Sequence, residues 1–258
     1  MKIAILGAGV FGTALGGILA DNGHNVAYYD KYIEGADIHK VIEGAEYVVL
    51  CVPSAVVQDV LPDIPREKPL VVATKGILLD DVFGEFADYM VLSGPGFAAD
   101  IKSHQSTKLT ATDERVVELF VAPYMQYDIT SDKRGVLMCG ALKNVYALWA
   151  GYQDLRPGTP EYEEYIATAA REMKELLSAN DAQPGTVDLA CGVGDLRLTC
   201  DSPSRNYQYG QALRNTPDMK PETTVEGLTT LMRIKSGEIV VPDSAEILKH
   251  IMQEISVN

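Results

Sequence analysis

The stretch KIAILGAGVFGTALGGILADNGHNVAYYDK, residues 2–31, constrains the fold more than any other part of the chain. Ile3, Ile5 and their neighbours form a short, continuously apolar run, as expected of a strand buried on both faces of a parallel sheet. Gly7, Gly9 and Gly12 follow with GxGxxG spacing. The first permits a tight turn, the second lets backbone amides approach a pyrophosphate, and the third lets the next helix pack close to the sheet. Val10 and Phe11 open that helix, whose N-terminus offers its dipole and free N–H groups to phosphates. Asn22-Gly23 stops the helix, and NVAYYD is a second strand ending at Asp30, about 20 residues beyond the glycines. Asp30 is placed to bond a ribose 2′-hydroxyl, which favours NAD, whereas Lys31 could meet the 2′-phosphate of NADP. Lys2 and the uncharged run after it have the outline of a secretory signal, but the following segment completes a folding unit that cleavage would destroy.

Three more apolar runs end in Pro or Gly turns: EYVVLCVPS, PLVVATKGI and DYMVLSGPGFAAD. Strands alternating with helices predict an α/β, Rossmann-type dinucleotide-binding domain. Ligand-facing residues in such a sheet lie just past the strand ends, here Pro53-Ser54, Lys75-Gly76 and Gly94-Pro95-Gly96. After about residue 130 helical periods dominate, so the chain is read as a dinucleotide-binding domain over 1–131 and an all-α domain over 132–258.

Within the second domain, CGALKNVYALWAG places Lys143 and Asn144 in a run that is otherwise apolar from Val136 to Ala150. A helix through this window has no wet face and is buried all round, yet it is too short to cross a bilayer. Burial disfavours a charged lysine and brings it toward useful proton exchange, making Lys143 a candidate acid or base. The alternative is a buried stem whose head reaches water or a carboxylate. The net charge of −14 argues against nucleic-acid or anionic-membrane partners, so an anionic ligand must be held by a few local donors. Cys51, Cys139, Cys191 and Cys200 lack CxxC spacing and read as reduced thiols of a cytosolic protein, with no metal site expected.

The segment CGVGDLRLTCDSPSRNYQYG interrupts the helices with Asp195, Thr199, Ser204, Arg205 and Asn206. Singly these are helix caps and loop residues; side by side, Arg, Ser and Asn suit a charge-assisted phosphate clamp. At this point the chain resembles the NAD(P)-dependent glycerol-3-phosphate dehydrogenases, through GAGVFGTAL, CVPS, ATKG, SGPGFA, GALKNVYAL, GDLRLTC, SRNYQYG and VEGLTT in the family's order. The resemblance implies a dinucleotide-binding domain followed by a helical one, with substrate in the cleft between them. It also implies interconversion of dihydroxyacetone phosphate and sn-glycerol 3-phosphate by a cytoplasmic homodimer.

By the same resemblance Lys143 is the catalytic lysine, Lys75 contacts substrate and cofactor, and Asp195 is a substrate-site acid close to Lys143. Ser204, Arg205 and Asn206 hold the substrate phosphate, and Gly94 makes a backbone contact to substrate. Phe11, Ala98 and Glu226 are cofactor contacts; Asn144 is expected to bond backbone or a substrate hydroxyl. The chain lacks the family's long insert between Asp30 and Glu46, and Gly96 and Thr168 stand where the family has a serine and an arginine. Those departures keep two other readings in view, a reductase of another small 2-keto or 3-hydroxy acid and a non-catalytic NAD-binding sensor.

Overall fold

The computed structural model describes residues 1–217 and 219–255. In its first β-strand, β1 (Lys2–Leu6), Ile3 to Leu6 are fully buried, as a strand covered on both faces requires. The other strands are β2 (Asn25–Tyr29), β3 (Tyr47–Leu50), β4 (Leu70–Val72), β5 (Tyr89–Ser93), β6 (Thr107–Ala111) and β7 (Met125–Ile129). They form one seven-stranded sheet of order β2-β1-β3-β4-β5-β6-β7. The first five are parallel, with Ile3 opposite both Val26 and Tyr47; β6 runs antiparallel to β5 and parallel to β7. The last two strands were not singled out by their sequence pattern.

Five helices accompany the sheet: α1 (Val10–Asp21), α2 (Ile38–Ile42), α3 (Val57–Val60), α4 (Ala98–Lys102) and α5 (Glu114–Leu119). Two are capped by a carboxylate at the N-terminal end. The Asp37 carboxylate accepts N–H bonds from His39 and Lys40, and the Asp113 carboxylate accepts one from Arg115. Ala14, Leu15, Ile18 and Leu19 of α1 join Ile3, Ile5, Val49, Val71 and Met90 in the sheet's core.

The helical part comprises α6 (Lys133–Tyr152), α7 (Pro160–Ala179), α8 (Asp195–Thr199), α9 (Arg205–Asn215), α10 (Glu226–Lys235) and α11 (Glu246–Glu254). Every residue of α6 from Gly135 to Gly151 is buried, which agrees with its all-round apolar sequence. Helix α7 begins at Thr159, whose hydroxyl accepts the Tyr162 N–H, and has Pro160 in its first turn. Its Tyr165 hydroxyl donates to the Tyr146 carbonyl of α6 at 2.6 Å.

The chain divides into two compact units, Met1–Lys75 with Asp80–Lys133, and Gly76–Leu79 with the chain from Arg134 onward. Gly76–Leu79 thus belongs to the helical unit, and the Arg233 guanidinium donates to the Gly76 carbonyl there at 2.9 Å. Among the described residues no helix is long and apolar enough to cross a membrane, and no group of three His, Cys, Asp or Glu side chains could hold a metal ion.

Candidate active site

In the first unit the sheet's ligand edge is built around the glycine turn. Gly7 has φ +104°, and a Cβ there would stand 2.7 Å from the Cys51 carbonyl. A Cβ at Gly12 would stand 2.0 Å from the Gly7 oxygen, so only glycine lets α1 start this close to the sheet. Gly9 differs, with no atom within 4 Å of its virtual Cβ. No side chain caps α1 and no carboxylate lies in its first turn. Open space beside an uncapped helix N-terminus fits a pyrophosphate, so these residues suit a dinucleotide.

Asp30 stands at the end of β2, where Oδ2 accepts the Ala8 N–H at 3.0 Å and Oδ1 the Tyr32 N–H at 3.1 Å. Lys31 lies over the Tyr32 ring, 5.0 Å from its centroid. Val10 is exposed, whereas Phe11 and Ala98 pack partly against the core. Lys75 donates to the Gly94 carbonyl at 3.2 Å and sits 5.4 Å from the Phe11 ring centroid, so three expected site residues meet here. Pro53 leads into a short turn, Ser54–Val56, just beyond β3. Burial pushes the neighbouring Cys51 thiol up to about 12, which leaves it a packing group beside the turn.

In the second unit Lys143 pairs with Asp195, the first residue of α8; their side chains are 3% and 1% exposed. The buried lysine therefore meets a carboxylate, one of the two environments that its sequence leaves open. The Thr199 hydroxyl donates to the Asp195 carbonyl at 2.6 Å and lies 3.4 Å from Oδ1. Burial also pushes the Cys200 thiol up, with the Lys143 charge pulling the other way.

Asn144 and Asn206 are joined directly, Asn206 Nδ2 donating to Asn144 Oδ1 at 2.9 Å. Ser204 is buried at the N-cap position of α9, and Arg205 is exposed at its first position. Glu226 opens α10 and is half-buried. The following residue, Gly227, donates its N–H to Asn206 Oδ1 at 2.8 Å. Sequence reasoning passes over Gly227; its place directly after Glu226 in VEGLTT was the available signal.

One unit holds a glycine turn and uncapped helix N-terminus that suit a dinucleotide, and the other a buried lysine paired with a carboxylate. These features fit the class of nicotinamide-dinucleotide-dependent oxidoreductases. Family models narrow the class. Residues 132–253 match the NAD-dependent glycerol-3-phosphate dehydrogenase C-terminus, and residues 2–34 and 30–117 match the corresponding N-terminus. The chain belongs to the NAD-dependent glycerol-3-phosphate dehydrogenase family. A protein of Brucella ovis named glycerol-3-phosphate dehydrogenase (NAD(P)+) is 31% identical over 89% of this chain and 85% of its own length. A protein of that name from Pseudomonas entomophila is 32% identical over 93% and 86%. The crystal structure of glycerol-3-phosphate dehydrogenase from Coxiella burnetii superposes with a TM-score of 0.79 at 25% identity, covering 99% of this chain and 95% of that one.

Proposed function

We propose that the protein interconverts dihydroxyacetone phosphate and sn-glycerol 3-phosphate, with Lys143 as the group that gives and takes the proton at the substrate oxygen. The observation that carries this is the buried Lys143–Asp195 pair in the middle of an otherwise apolar helix. An uncompensated ammonium is too costly to bury, and a scaffold gains nothing from burying one. When bound, the nicotinamide supplies the hydride. The protein's own groups then bind, orient and handle the proton.

In the reducing direction Lys143 donates to the carbonyl oxygen as it gains charge, and in the oxidising direction it takes the hydroxyl proton back. Asp195 offsets the ammonium charge and directs the side chain. Thr199 steadies Asp195 through its carbonyl and Oδ1. Lys75 contributes positive potential for substrate and cofactor, with Gly94 offering a backbone contact. The Ser204–Arg205–Asn206 segment takes the phosphate, and this remote binding energy orients the reacting carbon. Gly7, Gly9, Val10, Phe11, Gly12, Asp30, Pro53, Ala98 and Glu226 serve the dinucleotide. The buried thiols of Cys139, Cys191 and Cys200 suit a reducing compartment, which supports a cytoplasmic location; the homodimer rests on the resemblance.

The test is absorbance at the reduced-nicotinamide band on adding dihydroxyacetone phosphate to the protein with NADH or NADPH. Lys143→Ala is expected to lower kcat by about a hundredfold to ten-thousandfold while NADH still binds. Turnover near the wild-type value would remove the lysine from the chemistry.

A further inference from the structure

We infer that Tyr32 is the stacking platform for the base of the dinucleotide, fixed beside the ribose by the same carboxylate, Asp30, that is placed for the ribose hydroxyl. The inference deepens the dinucleotide part of the function proposed above and rests on it. It brings in a residue that the glycine motif does not include.

The connection between β2 and β3 divides its large apolar side chains into two sets. Ile38 and Ile42 of α2 are buried, whereas Tyr32 is 85% exposed and Ile33 is exposed beside it in the chain. Burial is thus open to apolar groups of this segment, and Tyr32 does not take it. Its backbone is nevertheless tied down. The Tyr32 N–H donates to Asp30 Oδ1 at 3.1 Å, and the Ile33 N–H donates to the Asp30 carbonyl at 3.0 Å. The Ala36 N–H then donates to the Ile33 carbonyl at 3.1 Å, across Gly35 at φ +72°. An exposed ring on a fixed turn loses little freedom when it binds, because a tyrosine side chain has few torsions to immobilise.

Asp30 gives the ring its partner. Oδ2 accepts the Ala8 N–H of the glycine turn at 3.0 Å while Oδ1 holds Tyr32, so one carboxylate ties the pyrophosphate turn to the aromatic one. In a dinucleotide the base is carried by the ribose carbon next to the one that bears the 2′-hydroxyl. A carboxylate placed for that hydroxyl therefore has the base alongside, and Tyr32 is the aromatic residue whose backbone it fixes. The Lys31 ammonium lies over the ring, 5.0 Å from its centroid, and with Lys31 in place the residue is still 85% exposed. The ring thus keeps an open surface for one base. Stacking on it serves adenine and other bases alike, since each presents a π-face.

The test is a fluorescence titration of the full-length protein with NADH and with its hypoxanthine analogue. ADP-ribose, which lacks nicotinamide, and nicotinamide mononucleotide, which lacks adenosine, are added as competitors of NADH. Tyr32→Ala is expected to raise the Kd for NADH, the hypoxanthine analogue and ADP-ribose by one common factor of about fivefold to a hundredfold. The Kd for nicotinamide mononucleotide should stay at its wild-type value. Tyr32→Phe, which keeps the ring, should bind NADH within about twofold of wild type, and Tyr32→Leu, which keeps only apolar bulk, should resemble Tyr32→Ala. Unchanged NADH binding in Tyr32→Ala would overturn the platform. So would a Leu variant as good as the Phe variant, or a loss for nicotinamide mononucleotide as large as that for NADH, which would mean that the whole turn had shifted. If the mononucleotide competes too weakly to measure, the Phe and Leu variants decide. A wild type that binds NADH and leaves dihydroxyacetone phosphate unreduced would sink the proposed reaction and leave this titration to stand; a wild type that binds no NADH would sink both.

Discussion

A carboxylate already held by two backbone N–H groups leaves poor terms for a second anion, and Asp30 is such a carboxylate. Its place at the end of β2 suits a ribose hydroxyl, while a 2′-phosphate would face its charge, with Lys31 lying over Tyr32. NADH is therefore expected to bind about tenfold tighter than NADPH or better, from the worth of one charge-assisted hydrogen bond. Asp30→Ser should narrow that ratio, and nicotinamide fluorescence titrations measure both. Equal affinities in the wild type would refute the assignment. Arg205→Ala is expected to raise the KM for dihydroxyacetone phosphate by about tenfold or more with a smaller change in kcat. An unchanged KM in steady-state kinetics would remove this arginine from the phosphate site. The residues differ in how plainly the sequence announces them. Lys143 is conspicuous because every neighbour is apolar, and Asp30 because glycines precede it at a known interval. Asp195, Ser204 and Asn206 lie in a polar run where each alone reads as a cap. The bonds that join Asn206 to Asn144 and to Gly227 could not be read, because they link positions 62 and 21 residues apart.

Among elements, the sheet's rim and the C-terminal helix depend on single side chains that reach across the chain. Arg115 makes paired bonds to Asp88, next to the start of β5, and to Asp113, which caps α5. The guanidinium holds both carboxyls below their ordinary value of 3.8. Carboxyls depressed in the folded state add stability above their unfolded value and lose it as pH falls through the folded one. Arg115→Leu should therefore be less stable than wild type at neutral pH, and the gap should close as pH is taken below 3.8. Urea titrations along that pH series check it; a gap independent of pH would mean that packing, not charge, is what Arg115 supplies. Glu172 does comparable work for α11, whose own N-cap position is Ala245. Its carboxylate accepts N–H bonds from Ile247 at 2.6 Å and Leu248 at 3.2 Å, and the Tyr146 hydroxyl at 3.0 Å. Burial pushes this carboxyl up and those bonds pull against it. Removing them by Glu172→Ala should cost about 1–3 kcal/mol in urea-measured stability. The helices α6, α7 and α11 were legible because their apolar periods are long. Strands β6 (TKLTA) and β7 (MQYDI) were not, because five residues with interspersed polar side chains at the far end of a sheet carry little pattern. The same holds for α8, where five helical residues follow a π-type turn at Ala190–Gly194.

The whole molecule presents a problem that no single residue solves: an acidic protein has to collect anionic ligands. Residues 1–133 hold 10 basic against 19 acidic side chains and the rest hold 12 against 17, so neither part offers a net positive surface. Composition alone indicates this balance, and the donors proposed for the ligands are local ones, the α1 N-terminus, Lys75 and Arg205. Local donors act over hydrogen-bond distances, whereas the net charge acts over a Debye length of about 30 Å at 0.01 M salt and about 8 Å at 0.15 M. Salt in that range screens the distant repulsion of NADH before it weakens the close contacts. The NADH association rate followed by stopped-flow fluorescence should therefore rise with ionic strength, the reverse of a protein that steers its ligand with an opposite charge. A rate that falls with salt would mean that the donors at the glycine turn and Lys75 govern the approach as well as the bound state, and that the acidic balance lies elsewhere on the surface.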